Sequence, residues 1–437
     1  MHLSRYVTSF PCHDNPERVL LFSTRSLAKI LVPVSLLRAI EEGTLSPREE
    51  DILTRNGFLV DDAEAERLDM LSAISRAEGR CGTVSLMAVM NLDCNLACRY
   101  CYEGKQRGTH YMSRETAHLL VEYAEKNCLQ RGKSLDVDFY GGEPLLSRAL
   151  IREIAGRLRT CADNVGRDFS FSLITNGTLL TEATVRELAG LGLKRAKVTL
   201  DGPRENHDVY RPSVSGAGSF DIIVENLRKV CDLIAVGIGG NYTRENYRAF
   251  PYLLDYLCSE GLTPDRISHV MFSPVAETLG EHLVPEFSEG CSSTDEPWVI
   301  EASLFLREEI LRRGFFTPKV SPVTCMIEYR DSLVIHYDGT LYKCPAFIGC
   351  EGFDVGRLAS GIRDCGKTHN PDVWKNDACL DCPYLPLCFG GCRFLKVLRD
   401  GAVDGVECRK PYFDAALEEL VLQDIRYPRK LTSSPHS

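Results

Sequence analysis

Between residues 83 and 275 the sequence alternates six times between a short apolar run and a longer segment of helical periodicity. The expected strands cover 84–90, 135–140, 169–174, 195–200, 233–238 and 267–272. The expected helices cover 114–128, 148–160, 182–191, 220–230 and 244–258. Parallel neighbours need a crossover between them, and a helix is the usual one, so this order leaves few topologies other than a parallel sheet covered by helices. The expected fold class is α/β, a partial (β/α)6 barrel. Barrels of this kind place their chemistry at the C-terminal strand ends. The unusual residues lie there: Asn91 onward after strand one, Gly141-Gly142-Glu143 after strand two, Thr175-Asn176-Gly177 after strand three, Asp201-Gly202 after strand four and Gly239-Gly240-Asn241 after strand five.

The second constraint is cysteine, 19 residues in a chain of 437. No secretion signal opens the chain, the count is odd, and a chain of this length needs no staples, so metal ligation is favoured over disulfides. Cys12, Cys81, Cys128, Cys161, Cys231, Cys258, Cys291, Cys350 and Cys365 are scattered, and several sit in apolar helical contexts as small buried hydrophobes. The other ten are grouped. Lys plus Arg is 51 and Asp plus Glu is 61, a formal charge of −10. That balance argues against broad binding of nucleic acid or anionic membranes. No apolar run approaches a membrane span, because the longest early one is broken by Pro33. The expected location is the cytoplasm.

The first group is Cys94-x3-Cys98-x2-Cys101, with Tyr100 before the last cysteine. Three thiolates make an incomplete structural zinc site, which normally takes four ligands. They suit a 4Fe-4S cluster that keeps one iron free of protein ligands. The spacing resembles that of the radical S-adenosylmethionine (radical SAM) enzymes, and Asn91 and Asn95 fit the same pattern. Tyr140-Gly141-Gly142-Glu143-Pro144 resembles the family segment that binds the methionine amine of the cofactor. By the same resemblance Thr175, Asn176, Thr199, Asp201 and Asn241 contact its ribose, carboxylate and adenine. The pattern Asp201-Gly-Pro-x3-His207-x3-Arg211 resembles peptide-modifying members, with Arg211 holding a carboxylate of cofactor or substrate.

The second group runs Cys325, Cys344, Cys379, Cys382, Cys388, Cys392 and Cys408, around a hairpin signal at Asp338-Gly339. It resembles the SPASM auxiliary-cluster domain of radical enzymes that mature peptides. The resemblance implies one distal cluster on Cys379, Cys382, Cys388 and Cys408, and one nearer cluster on Cys325, Cys344 and Cys392. No cysteine falls between Cys325 and Cys344, so the nearer cluster has either an open iron or a ligand such as Cys350 or Cys365. Four thiolates on zinc remain an alternative for the distal set. Relatives that oxidise a sulfatase serine or cysteine carry an Asp after the second cysteine, and here Pro345 stands there.

The implied organisation is an N-terminal unit at 1–80, winged-helix-like and suited to peptide recognition, then the barrel at 81–275 and a linker with a helix at 276–324. The SPASM domain follows at 325–425 and a disordered tail at 426–437. The implied cofactors are S-adenosyl-L-methionine and three 4Fe-4S clusters, one for radical SAM chemistry and two auxiliary. The partners expected are a precursor peptide and an electron donor such as flavodoxin or ferredoxin. The leading expectation is a maturase that cleaves S-adenosylmethionine reductively, takes a hydrogen from the peptide and closes a cysteine thioether. The alternatives are epimerisation, a carbon–carbon crosslink or side-chain oxidation such as sulfatase maturation, or a non-catalytic iron–sulfur peptide-binding protein.

Overall fold

The computed structural model describes residues 1–101, 103, 107–277, 289–363 and 366–428. The tail expected to be disordered falls largely outside these residues, as does Cys365.

Six parallel strands build the centre: Thr83–Val89, Ser134–Tyr140, Phe169–Thr175, Leu193–Thr199, Ala235–Tyr242 and Ile267–Pro274, each paired with the next in chain order. Their sequences explain the two faces. Along Ser134–Tyr140 every second residue is fully covered, Leu135, Val137 and Phe139, while Asp136, Asp138 and Tyr140 turn to the other side. The covered side packs on helices Arg114–Asn127, Arg148–Asn164, Glu182–Ala189, Phe220–Val230 and Phe250–Ser259, forming the main core. Side chains of that size stabilise the fold by ~1.5–3 kcal/mol each when removed from water. The helix starts are written locally: Ser113 accepts a bond from the Thr116 amide, and Thr181 from the Thr184 amide.

The sheet does not stop at six strands. Leu333–Ile335 adds in parallel beside the first barrel strand, and Thr340–Tyr342, Gly356–Arg357 and Gly361–Ile362 continue antiparallel, making ten. The hairpin expected at Asp338-Gly339 is present, with Val334 opposite Tyr342. Its attachment to the barrel edge was not legible, because pairing between Leu333 and Leu86, far apart in the chain, leaves no local pattern. The segment after residue 325 also has more core than its composition suggests. Ile327, Val334, Tyr342, Phe347 and Ile348 cluster with Val89 and Leu92, and Trp374, Leu380, Leu385 and Phe389 form a second group.

The N-terminal residues form a three-stranded antiparallel sheet, Val7–Pro11, Arg18–Ser23 and Lys29–Pro33, followed by helices Val34–Glu42 and Pro47–Arg55. Ser46 and Glu49 make the expected capping box. The closing strand Leu59–Val60 pairs with His2–Leu3 and not with that sheet. Two further helices, Ala63–Leu71 and Ala73–Arg80, precede the barrel. The buried faces of this region are shared: Leu20 and Phe22 pack with Leu387, Phe413 and Leu417, and Tyr6, Met70 and Ile74 pack with Trp374. Among the described residues no helix is long and apolar enough to cross a membrane.

Candidate active site

The loop after the first strand is held by its neighbours before any cofactor is considered. Asn91 is fully buried, and its side-chain amide donates to the Glu143 carbonyl (3.0 Å) and the Ser147 hydroxyl (2.8 Å). The Gly142 amide donates to the Asn91 carbonyl (3.0 Å), and the Glu143 amide to the Asp93 carbonyl (2.8 Å). This zipper requires glycine. A Cβ on Gly142 would lie 2.2 Å from the Asp93 carbonyl oxygen, and one on Gly141, whose φ is +145°, 2.4 Å from that of Asn91. The two glycines therefore form a cradle with bare backbone beside the cysteine loop.

Cys94, Cys98 and Cys101 line one cavity of about 520 Å³ together with Tyr100, Gly141, Gly142, Thr175, Asn176, Thr199, Arg211 and Asn241. Nearly every residue that the sequence assigned to the cofactor thus opens onto one volume at the strand ends. Burial raises the Cys94 thiol to about 11 and the Cys101 thiol to about 12, and it raises Cys98 as well. Each neighbour's negative charge adds to the effect. The Asn176 side-chain amide donates to Cys94 Sγ at 3.7 Å and to Asn95 Oδ1 at 2.9 Å. Arg107 donates to the carbonyls of Cys94 and Leu96.

Two assigned residues do not face the cavity. Glu143 is fully buried, and protein donors occupy its carboxylate: the Thr175 hydroxyl (2.8 Å), the Leu145 amide (3.0 Å) and the Asn176 amide (2.8 Å). In this arrangement Glu143 fixes the Thr175-Asn176 turn, and the glycines before it present the backbone. Asp201 is likewise buried at the centre of a knot. It accepts from the Asn241 amide (2.7 Å) and from the Tyr100 hydroxyl, and Arg211 lies 3.9 Å away. The Tyr100 oxygen in turn receives Arg211 Nη1 (2.8 Å) and Asn241 Nδ2 (3.0 Å). His207 bridges the Asp201 amide (3.1 Å) and the Ser219 hydroxyl (3.0 Å), and burial holds it well below the ordinary histidine range. Tyr100, Asp201, Arg211 and Asn241 are one hydrogen-bonded unit that ties the cysteine loop to strands four and five.

The far wall of the cavity comes from the C-terminal region: Pro345, Ala346, Ile348, Cys350 and Phe394. Behind it burial pushes Cys344 up to about 12, with the charges of Cys325 and Cys392 adding to the effect, and burial with the charge of Cys392 raises Cys325. Cys350 carries no such coupling to the trio, since burial alone raises it. Burial raises Cys379, Cys382 and Cys388, with the charges of Cys382 and Cys408 adding at Cys379, that of Cys408 at Cys382, and those of Cys382 and Cys379 at Cys388, and Cys408 itself is exposed. Among the described residues, no three His, Cys, Asp or Glu side chains converge tightly enough for a single metal ion.

Sequence reasoning missed Glu103, whose two carboxylate oxygens are buried without a hydrogen-bond partner among the described residues and whose pKa burial raises to about 7. It also missed Lys197, Met87 and Met271, which line the cavity from inside the barrel. Lys197 stands two residues before Thr199, so strand alternation alone would have put it on the same face.

The Radical SAM superfamily sequence profile matches residues 89–257. The serine-type anaerobic sulfatase-maturating enzyme of Bacteroides thetaiotaomicron is 25% identical over 390 residues, covering 76% of this chain and 90% of that protein. The cysteine-type enzyme of Clostridium novyi is 23% identical, over 75% and 93%. Among solved structures, anSMEcpe with bound AdoMet and Kp18Cys peptide superposes with a TM-score of 0.61 at 19% identity, over 78% of this chain and 99% of that one. Streptococcus suis SuiB bound to precursor peptide SuiA gives 0.54 at 14%, over 93% and 98%. The fold is shared with both, and the profile falls on the strands and loops that build the cavity, so residues 89–257 form a Radical SAM domain, a catalytic unit of radical redox chemistry.

Proposed function

We propose that the chain is a maturase that oxidises a side chain of a peptide or protein by radical SAM chemistry. The observation that carries the reading is the shared cavity, walled by Cys94, Cys98 and Cys101 on one side and by the Pro345–Cys350 segment on the other. One bound molecule can meet both. A 4Fe-4S cluster on the first trio, when bound, supplies the electron that cleaves S-adenosylmethionine and releases a hydrogen-abstracting radical. The chain's own residues position and exclude. The Gly141-Gly142 backbone receives the cofactor's methionine end, and Arg211 offers its guanidinium to a carboxylate. Thr199 and Asn241 border the sugar and base. Pro345, Ala346, Ile348 and Phe394 keep the far wall dry.

Side-chain oxidation is preferred because the sulfatase-maturating relatives match over three quarters of the chain. The Asp expected of such enzymes after the second cysteine is Pro345 here, so the base must be another group or the substrate differs. Thioether formation is the second reading, favoured by Cys325, Cys344 and Cys392 standing as three neighbouring thiols without a fourth among the described residues. In both readings the abstraction and the loss of the second electron make a two-electron oxidation, and Cys379, Cys382, Cys388 and Cys408 with an exposed member suit an exit to an external carrier such as flavodoxin or ferredoxin. The three-stranded N-terminal sheet, with Val7–Pro11 and Lys29–Pro33 at its edges, suits strand addition by a leader segment.

Mass spectrometry of a substrate incubated with the reconstituted enzyme tests the proposal. Oxidation of a serine side chain to an aldehyde and thioether closure both remove two hydrogens, whereas oxidation of a cysteine side chain to that aldehyde also replaces its sulfur with oxygen and gives a distinct mass. After a thioether has formed, a cysteine no longer alkylates. An unchanged mass with an inverted centre indicates epimerisation and rejects both. Cofactor cleavage with no change in any peptide or protein rejects the maturase reading altogether.

A further inference from the structure

The barrel lumen carries a cation that the cofactor-side residues do not use. On the fourth strand, alternation sends Arg195, Lys197 and Thr199 inward. Arg195 pairs with Asp136 from the second strand. One layer higher Lys197 and Asp138 repeat the arrangement, but no carboxylate comes within 4.0 Å of Lys197 Nζ among the described residues, and Lys197 lines the cavity. Asp138 is engaged elsewhere, accepting from the Ser172 hydroxyl. The neighbouring strand makes room for the lysine. A Cβ at Gly239 would lie 2.9 Å from Lys197 Cε, so a larger residue there would displace the end of the lysine side chain. Burial pulls Lys197 below the ordinary lysine range, with Asp138 opposing. A half-buried ammonium aimed into a cavity without an ion-pair partner is costly unless a ligand supplies the anion.

We infer that Lys197 anchors a carboxylate of the substrate peptide, so that the segment entering the barrel carries an Asp or Glu side chain, or its own C-terminus, close to the oxidised carbon. The inference rests on the maturase reading. Lys197 lies two residues below Thr199, roughly 6.6 Å at ~3.3 Å per residue. An extended peptide covers that distance in about two residues, which sets the expected spacing between acid and oxidised position. Met87 and Met271 line the same cavity, and Asp138 and His269 lie within electrostatic reach of the lysine, so a substrate carboxylate would add the close ion pair that the strands do not provide. The other source of a carboxylate is S-adenosylmethionine itself.

The test uses the full chain, reconstituted without oxygen and immobilised. The probes are synthetic peptide pools with a fixed serine or cysteine and randomised flanks. Each pool is made with Asp and Glu or with Asn and Gln, and with a free or an amidated C-terminus. Wild type is expected to retain the acidic pool about tenfold over the amide pool. Lys197→Met should lose that preference, Lys197→Arg should keep most of it, and Lys197→Glu should favour peptides bearing lysine. A preference that survives C-terminal amidation assigns a side-chain carboxylate, and one that disappears assigns the terminus. Equal retention by wild type and Lys197→Met overturns the inference. So does retention of neither pool, or a tenfold weaker S-adenosylmethionine affinity in Lys197→Met with peptide preference intact. Deoxyadenosine formation by wild type without peptide is followed in parallel, so a failure of the radical SAM reading is seen separately.

Discussion

At the scale of single residues, the site divides into thiols that would hold iron and polar groups that hold the thiols. The division was legible in part. Cys94, Cys98 and Cys101 declare themselves by spacing, because three thiolates in one loop serve few other purposes. Glu143 and Asp201 were legible as important, while the protein donors their carboxylates accept from were not, the first Thr175 and Asn176, the second Tyr100 and Asn241. Spacing does not reveal where a carboxylate points. Cys98→Ala is expected to abolish deoxyadenosine formation and to lower iron by about four atoms per chain. Normal deoxyadenosine output from that variant would remove the assignment. Tyr100→Phe removes a hydroxyl shared by Asp201, Arg211 and Asn241. It should weaken S-adenosylmethionine binding about tenfold, as measured by equilibrium dialysis, and cost ~1–3 kcal/mol for the charged groups left short of a partner. An unchanged affinity would show that the hydroxyl does not order the cofactor's side of the cavity.

At the scale of elements, the cradle depends on backbone approach. The loop after strand one and the turn after strand two are zipped through the Asn91 and Asp93 carbonyls. Gly142→Ala places a methyl 2.2 Å from one of those carbonyl oxygens, and neither partner is the end of a flexible side chain. The cysteine loop must then shift. The expected result is loss of about four irons from the first site, with the later cysteines still loaded, read as iron content beside a Cys94→Ala control. A full iron complement in Gly142→Ala would contradict the close packing. The six barrel strands were legible because each carries its own alternation and is followed by a helix. Leu333–Ile335 was legible as a hairpin arm but not as a seventh parallel strand. Its partner Leu86–Ala88 is chosen by tertiary packing, and no residue in either strand encodes the pairing.

At the scale of the whole molecule, the N-terminal region and the later cysteine groups are physically one problem. Phe22 packs with Leu387, Phe413 and Val421, and Tyr6 donates to the Leu380 carbonyl at 3.0 Å. The chain end therefore braces the loops that carry Cys379, Cys382 and Cys388. Its strands and capped helices could be read from sequence, but which surface they cover could not, because both partners are simply apolar. Phe22→Ala is expected to cost ~3–5 kcal/mol. It should also loosen the distal cysteine set first, seen as faster iron release to a chelator with the first site unaffected. Equal release rates in variant and wild type would show that the bracing does not reach the cysteines.

The central claim is that the early thiols hold a cluster able to cleave S-adenosylmethionine. Its most direct measurement is deoxyadenosine and methionine formed by the full chain after anaerobic reconstitution and addition of a strong reductant. The account predicts both products in equal amounts, from protein holding about twelve irons in three clusters. Protein that fills its thiolate sites with zinc alone, or that carries the irons and forms neither product, would contradict it.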